Sequence, residues 1–337
     1  MGIRIIALLG GVLLAGAGGS DTTGDTLRSV AATYYASAGQ VATITGRDST
    51  MDYYQRLLDD AALLEESPPS YYPAPLWQQS VHAASLLDLS LALQLLQNAY
   101  SPMESIRGLG ETFVKSSKDG TMQPLAVYVP TGYVAGTPAP LLVFLHGWQQ
   151  AESHLLAPPY VQDLAESTGT IVVAPYGHGY YDYNGSSGDV YDAFDAACRA
   201  FTIDKNRRYI AGYSMGGFSV FNIAPMHPND WSAVLSIAGA LLNSRAPHLL
   251  ATMPRARFYV VTGAFDDIVP TAFPTATAIY LRDAGVPVTF YSAPDGTHAL
   301  YTLRAQLARA WDEMERGVVR TPAGLTGAAD LPEAVTK

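Results

Sequence analysis

The chain of 337 residues is 48% hydrophobic and 15% charged, which supports one large globular domain with a smaller appendage and excludes a disordered chain. A formal net charge of −10 at pH 7, a pI near 5.0 and the lack of any dense Lys/Arg run argue against a nucleic-acid partner. Met1 to Ser20 carries Arg4, an apolar run from Ile5 to Leu14 and the small residues Ala15-Gly16-Ala17, the layout of a signal peptide cleaved after Ala17. The run is short and glycine-rich for a membrane span, so the expectation is a secreted or periplasmic protein with no stable span after cleavage; an uncleaved anchor is the alternative. Export permits disulfides, yet Cys198 is the only cysteine and cannot form one within the chain. Cys198 is expected to pack as a small apolar residue beside Ala196 and Ala197.

Residues 21–107 read as a helical N-terminal region. Met51 to Glu66 forms an amphipathic helix with Asp48-Ser49 as its cap, stopped by Ser67-Pro68-Pro69. A Tyr- and Pro-rich link from Ser70 to Pro75 follows, and then Leu76 to Tyr100, a helix so rich in Leu and Ala that it must bury most of its surface. Such a region packs on the main domain, covers the site or mediates dimerisation.

Near Leu109 the pattern changes from helix to strand. Glu111 to Ser116 and Pro124 to Pro130 flank the turn signal Lys118-Asp119-Gly120 and predict a leading β-hairpin. Strands are then expected at Leu141–Leu145, Thr170–Ala174, Arg208–Tyr213, Ala233–Ile237, Arg257–Thr262 and Val286–Ser292. Helices are expected at His154–Ser167, Asp189–Phe201, Met215–Pro225, Thr271–Ala284 and His298–Arg316. This alternation defines an α/β domain over 108–316, a mostly parallel open sheet with helices on both faces, whose ligand site lies at the carboxyl ends of the strands. Residues 317–337 read as a tail.

The candidate chemistry falls at those strand ends. Gly212-Tyr213-Ser214-Met215-Gly216 fits G-x-S-x-G between a strand and a helix, where small neighbours let a nucleophilic serine sit on a sharp turn. That turn puts the Met215 N–H at a helix N-terminus, ready to donate to an oxyanion. Leu145-His146-Gly147-Trp148-Gln149-Gln150 closes an earlier strand and offers the Trp148 N–H as a second donor. His146 is expected to hold this loop by hydrogen bonds rather than act as the base. Gly263 to Pro270 follows another strand. In it Asp266 is the expected orienting carboxylate, and Asp267 a cap for the helix near Thr271. His298, after the last strand in Asp295-Gly296-Thr297-His298, is the expected general base. The loop from Pro175 to Asn184 is unusually aromatic, so Tyr176, Tyr180 and Tyr181, with Tyr213 beside the serine, are candidate substrate contacts. The connection from Ala238 to Arg255 is too short for a large lid. Among seven histidines no H-E-x-x-H or comparable spacing occurs, so no metal and no organic cofactor is implied.

Together His146-Gly147, Gly212 to Gly217, Asp266 and His298 resemble the α/β-hydrolase superfamily. Within it, LHGWQQ, the segment from Asp189 through Ile203-Asp204 to GYSMGG, and GAFDDIVP resemble esterases grouped with polyhydroxybutyrate depolymerases and feruloyl esterases, relatives of prolyl-oligopeptidase-type catalytic domains. The resemblance spans about Gly108 to Arg316. It implies an α/β-hydrolase fold with Ser214 as nucleophile, His298 as base, Asp266 as orienting acid, and the Trp148 and Met215 amides as oxyanion donors. It further implies an exported serine carboxylesterase acting on small or polymeric esters, aromatic or polyester in kind. A serine peptidase and a non-catalytic binding protein of the same fold are the alternatives. The N-terminal helices lie outside that family pattern, and the disulfides common in secreted depolymerases cannot form here.

Overall fold

The computed structural model describes residues 23–179, 187–242 and 250–320. The signal peptide, residues 321–337 of the tail, Tyr180, Tyr181 and part of the connection between Ala238 and Arg255 lie outside these ranges. Four helices lead: α1 (Thr23–Ala36), α2 (Ala38–Thr45), α3 (Arg47–Leu63) and α4 (Ala74–Gln97). Because α3 starts at Arg47 after Gly46, whose φ of 83° suits glycine, Asp48 and Ser49 fall inside its first turn and not before it.

Eight strands form one sheet in the order β1-β2-β4-β3-β5-β6-β7-β8. They are β1 (Gly108–Lys115), β2 (Met122–Val129), β3 (Ala139–Leu145), β4 (Ile171–Pro175), β5 (Ile203–Tyr213), β6 (Ala233–Ile237), β7 (Arg257–Gly263) and β8 (Val288–Ala293). The β1–β2 hairpin and the β2–β4 pair are antiparallel, and every pair from β4–β3 to β7–β8 is parallel. Strand β5 begins five residues earlier than its apolar signal, because Ile203 pairs with Ala139 across an irregularity and the polar run Asp204 to Arg207 bridges to the buried half. The helices α5 (Glu152–Leu156), α6 (Pro159–Thr168), α7 (Ser187–Ala200), α8 (Met215–Ile223), α9 (Ala272–Asp283) and α10 (Arg304–Arg316) connect the strands. Two further elements differ from expectation. The helix expected from His154 to Ser167 is two, because Pro158 stays extended and Pro159 opens a new first turn. The last helix is preceded by a 3₁₀ turn, Leu300–Leu303, which leaves His298 in the loop.

Strands β3, β4 and β6 are buried at every position, as a sheet covered on both faces requires. One apolar layer gathers Val143, Ile210, Phe221 and Trp231, and the layer on the opposite face gathers Phe144, Tyr209, Tyr259 and Trp311. Cys198 packs partly buried against the first, as expected. A third cluster joins Leu27, Tyr34, Leu57 and Leu91 of the N-terminal helices to Phe113 of β1 and Tyr176 beyond β4. The helical region is thus packed on the sheet domain through a shared core. Among the described residues no helix is long and apolar enough to cross a membrane.

Candidate active site

Strand order reverses at β3, because the chain steps from β3 to β4 on one side and then crosses to β5 on the other. The crevice at such a reversal is where ligands bind in open α/β sheets. Leu145 pairs with Gly212 in neighbouring strands, so the loop from His146 to Gln150 and the turn holding Ser214 emerge side by side. Ser214 has φ 52° and ψ −114°, a strained backbone for an L-residue. Its N–H donates to the Ile237 carbonyl at 2.8 Å, and the Gly216 N–H donates to the His146 carbonyl at 3.1 Å, which ties the turn to both neighbouring strand ends. The turn closes only because of its glycines: a Cβ on Gly212 would overlap the Gly216 carbonyl, and one on Gly216 the Leu145 carbonyl.

His298 Nε2 lies 2.9 Å from Ser214 Oγ, and its Nδ1 lies 2.9 and 3.0 Å from the two Asp266 oxygens. A carboxylate accepts, so Nδ1–H donates to Asp266 and Nε2 is left to accept the serine proton. Asp266 is itself fixed: its side chain is fully buried, and Oδ1 accepts the N–H of Ile268 at 3.0 Å and of Val269 at 2.8 Å. Asp267 is exposed and caps nothing; the helix cap is Thr271, whose hydroxyl donates instead to the Gly263 carbonyl at 2.6 Å. Met215 is the first residue of α8, so its N–H is one that the helix leaves without an internal acceptor. Trp148 follows β3 in a loop closed by Gln150 N–H donating to the Gly147 carbonyl at 3.3 Å, and its side chain is exposed.

His146 is fully buried with Nδ1 at 2.8 Å from the Gly147 carbonyl and Nε2 at 3.0 Å from the Tyr176 carbonyl, so it holds two loops together. Burial lowers its pKa against the pull of those carbonyls. Tyr176 does not reach the site. It is buried beneath α3, with its ring 5.9 Å from Tyr53 and its hydroxyl donating to Asp52 at 3.0 Å, because the N-terminal helices cover the face that the sequence left open. Tyr213 does line the site, and its hydroxyl donates to the His298 carbonyl at 2.8 Å, bracing the loop that carries the imidazole.

A cleft of about 450 Å³ opens beside His298 and Tyr213. One wall comes from the sheet domain, with Gln149, Gln150, Tyr160 and Tyr301; the other comes from the N-terminal helices, with Leu63, Tyr71, Tyr72, Trp77, Val81 and Ala84. Sequence reasoning missed this wall. Its signal was Ser70 to Pro75, whose paired tyrosines read as a link between helices.

Sequence reasoning also missed a buried charge cluster where the helices meet the sheet domain. Arg56 of α3 donates to Asp88 of α4, to Glu152 at 3.0 Å and to Ser153 at 3.1 Å, and His154 lies 3.3 Å from Asp60. Asp88, Glu111 and Glu152 lie together, as do Asp60, Asp88 and His154, in groupings that could hold a cation; within the first, the Arg56 guanidinium already supplies positive charge. Burial, and then the charge of Asp88, pushes the Asp60 pKa from 3.8 up to about 7. Burial, with Glu152 and Asp88, raises Glu111 well above the carboxylate range. Burial alone would lower His154, but Asp60 and Asp88 outweigh it and raise the imidazole. All three folded-state values lie above the unfolded ones, so the folded state holds extra protons. For the carboxyls stability is lost as pH climbs from about 4 toward 7, and for His154 it is lost as pH rises through its raised value. The expected result is a Tm that falls from pH 5 to pH 8, with hydrogen-exchange protection factors in 50–95, corrected for intrinsic rates, falling over the same range. A Tm that is level or rising across that window would contradict these protonation states.

Fold and site together define a class: a strand-turn-helix serine, an imidazole after the last strand and a carboxylate after the one before, on a mostly parallel sheet. The chain belongs to the alpha/beta hydrolase family, whose sequence profile matches residues 142–336. Over 127 residues it is 28% identical to a bifunctional acetylxylan esterase/xylanase from Neocallimastix patriciarum, a match covering 36% of this chain and 19% of that enzyme. The chain thus aligns with about a fifth of that curated relative. Among solved structures, the Staphylococcus aureus fluorophosphonate-binding serine hydrolase FphF superposes with a TM-score of 0.52 at 17% identity, covering 62% of this chain and 98% of its own. A ferulic acid esterase gives the same four values. S-formylglutathione hydrolase from Staphylococcus aureus gives 0.50 at 16% identity, covering 62% and 98%. At these identities the likeness is one of fold.

Proposed function

We propose that the protein is an exported serine hydrolase of carboxylic esters, and the observation that carries this reading is the continuous hydrogen-bond path from Asp266 through His298 to Ser214. Ser214 Oγ attacks the ester carbonyl carbon while its proton passes to His298 Nε2. Asp266, held by two backbone amides, stabilises the imidazolium that forms. The Met215 and Trp148 amides receive the oxyanion. Collapse of the tetrahedral intermediate breaks the carbon–alkoxy bond, and Nε2–H protonates the departing alcohol. Water then attacks the acyl-enzyme with His298 again as base, releasing the acid and restoring Ser214.

The reading calls on no metal or organic cofactor, since base, nucleophile and oxyanion donors all come from the chain. Acetylated, feruloylated and polyester substrates remain the candidate classes, and the apolar segment at Ile5–Leu14 supports export. A panel of a p-nitrophenyl acetate, methyl ferulate, a hydroxybutyrate oligomer and a proline-containing aminoacyl anilide tests it. Turnover of at least one ester well above the anilide is expected. Hydrolysis of the anilide alone would make this a peptidase, and a folded protein inert on all four would remove the ester reading.

A further inference from the structure

We infer that the N-terminal helical region is the specificity element of this site, and that Tyr72 and Trp77 contact an uncharged aromatic ring carried by the ester. The inference rests on the ester-hydrolase reading for its reaction but not for its binding geometry. Four rings form one continuous wall: Trp77 lies 5.5 Å from Tyr72, Tyr72 lies 4.2 Å from Tyr301, and Tyr301 lies 5.9 Å from Tyr160. Tyr301 stands three residues beyond His298, so the wall starts beside the imidazole and runs outward over the N-terminal helices. Both ends belong to the same cleft.

The chemistry of that wall selects its occupant. Among the described residues no Asp, Glu, Lys or Arg lines the cleft; the ionisable groups among them are tyrosines, His154 and His298. The Tyr72 hydroxyl is engaged by Ser80 Oγ at 3.2 Å, and Ser80 in turn donates to the Leu76 carbonyl at 2.8 Å, which leaves the ring itself as what Tyr72 offers a ligand. Arg304 covers Tyr301 at 4.1 Å and spends its charge on that ring. An anionic substrate portion meets no Lys or Arg among the described lining residues, whereas an aromatic ring gains offset or edge contacts with several rings.

The wall is also built in advance. The shared apolar core and the buried Arg56 network fix α3 and α4 against the sheet domain, so little ordering of the protein opposes ring binding. A mobile cover would need to be ordered by its ligand. This one is already in place.

The ring can belong to the acyl group or to the alcohol, and three substrates separate these sources: methyl benzoate, benzyl acetate and the ringless ethyl acetate. Active sites are counted with a fluorophosphonate, and kcat/KM is measured for wild type, Tyr72→Ala, Trp77→Ala, Tyr72→Phe and Trp77→Phe, with Tm confirming the fold. Each Ala variant is expected to lower the ratio of ring-bearing to ringless turnover on one arm by about tenfold, mostly through KM, and the Phe variants to restore most of it. Ratios that stay constant in the Ala variants on both arms, or a uniform fall for all three esters, overturn the inference and make the region a structural prop. If the wild type hydrolyses no ester, saturation-transfer NMR of the two ring-bearing esters on Ser214→Ala protein still decides it. Contact that weakens on adding Trp77→Ala supports the ring site even though the ester reading has failed, and contact indifferent to Trp77 overturns it.

Discussion

Replacing Ser214 by alanine is expected to lower kcat/KM toward any ester substrate on the order of 10⁴- to 10⁶-fold while leaving the fold intact, the residual rate coming from binding and the oxyanion amides. The fold survives because among the described residues Oγ contributes the 2.9 Å contact to His298, and the packing of the turn is carried by backbone atoms. Glycine at the same position separates chemistry from strain. Ser214 holds φ 52° with ψ −114°, a conformation costing an L-residue roughly 1–3 kcal/mol, and glycine recovers part of that despite its larger loss of chain entropy. Ser214→Gly is therefore expected to be as inactive as Ser214→Ala and more stable by about 1 kcal/mol in denaturant unfolding. A Gly variant less stable than the Ala variant would mean that the turn is unstrained. Substantial ester turnover in either variant would place the nucleophile elsewhere.

What the sequence made legible follows from how local each signal is. That Ser214, Asp266 and His298 come together was readable because each closes an apolar strand run with a glycine-bearing turn, and a strand end is the one place where topology brings distant residues to a common edge. The sheet was readable for the same reason: β3, β4 and β6 are buried throughout and, Ser236 apart, lack polar side chains. Tyr176 misled because its neighbours in sequence are loop residues, while its neighbours in space, Tyr53 and Asp52, come from α3, more than a hundred residues earlier. Tyr72 and Trp77 were missed for the converse reason. Aromatic residues beside prolines between two helices look like a linker, and only the docking of α4 turns them toward His298. The Arg56 cluster was least visible of all, since Arg, Asp and Glu on helices ordinarily mark a solvated face. Their burial becomes apparent only when α3, α4, β1 and α5 converge.

That convergence makes Arg56 the side chain whose loss is expected to cost the most stability. Its own side chain is 11% exposed and those of Asp88 and Glu152 are 2% and 0% exposed, so removing the guanidinium leaves two acids buried without the cation that bridges them. Breaking one partner of such a buried network costs about 3–5 kcal/mol. Arg56→Ala is accordingly expected to unlatch α3 and α4, seen as faster proteolysis within residues 23–100 and a Tm lower by several degrees. Neutralising the partners as well, in Arg56→Met with Asp88→Asn and Glu152→Gln, should recover much of the loss, since the penalty comes from the orphaned charges rather than from the missing ion pairs. If Arg56→Ala is as stable as wild type at pH 7, the guanidinium is not what fixes the wall. If it is destabilised but the neutral triple variant is no better, packing of the arginine stem is what matters, and the electrostatic latch between the helices and the cleft fails as an explanation.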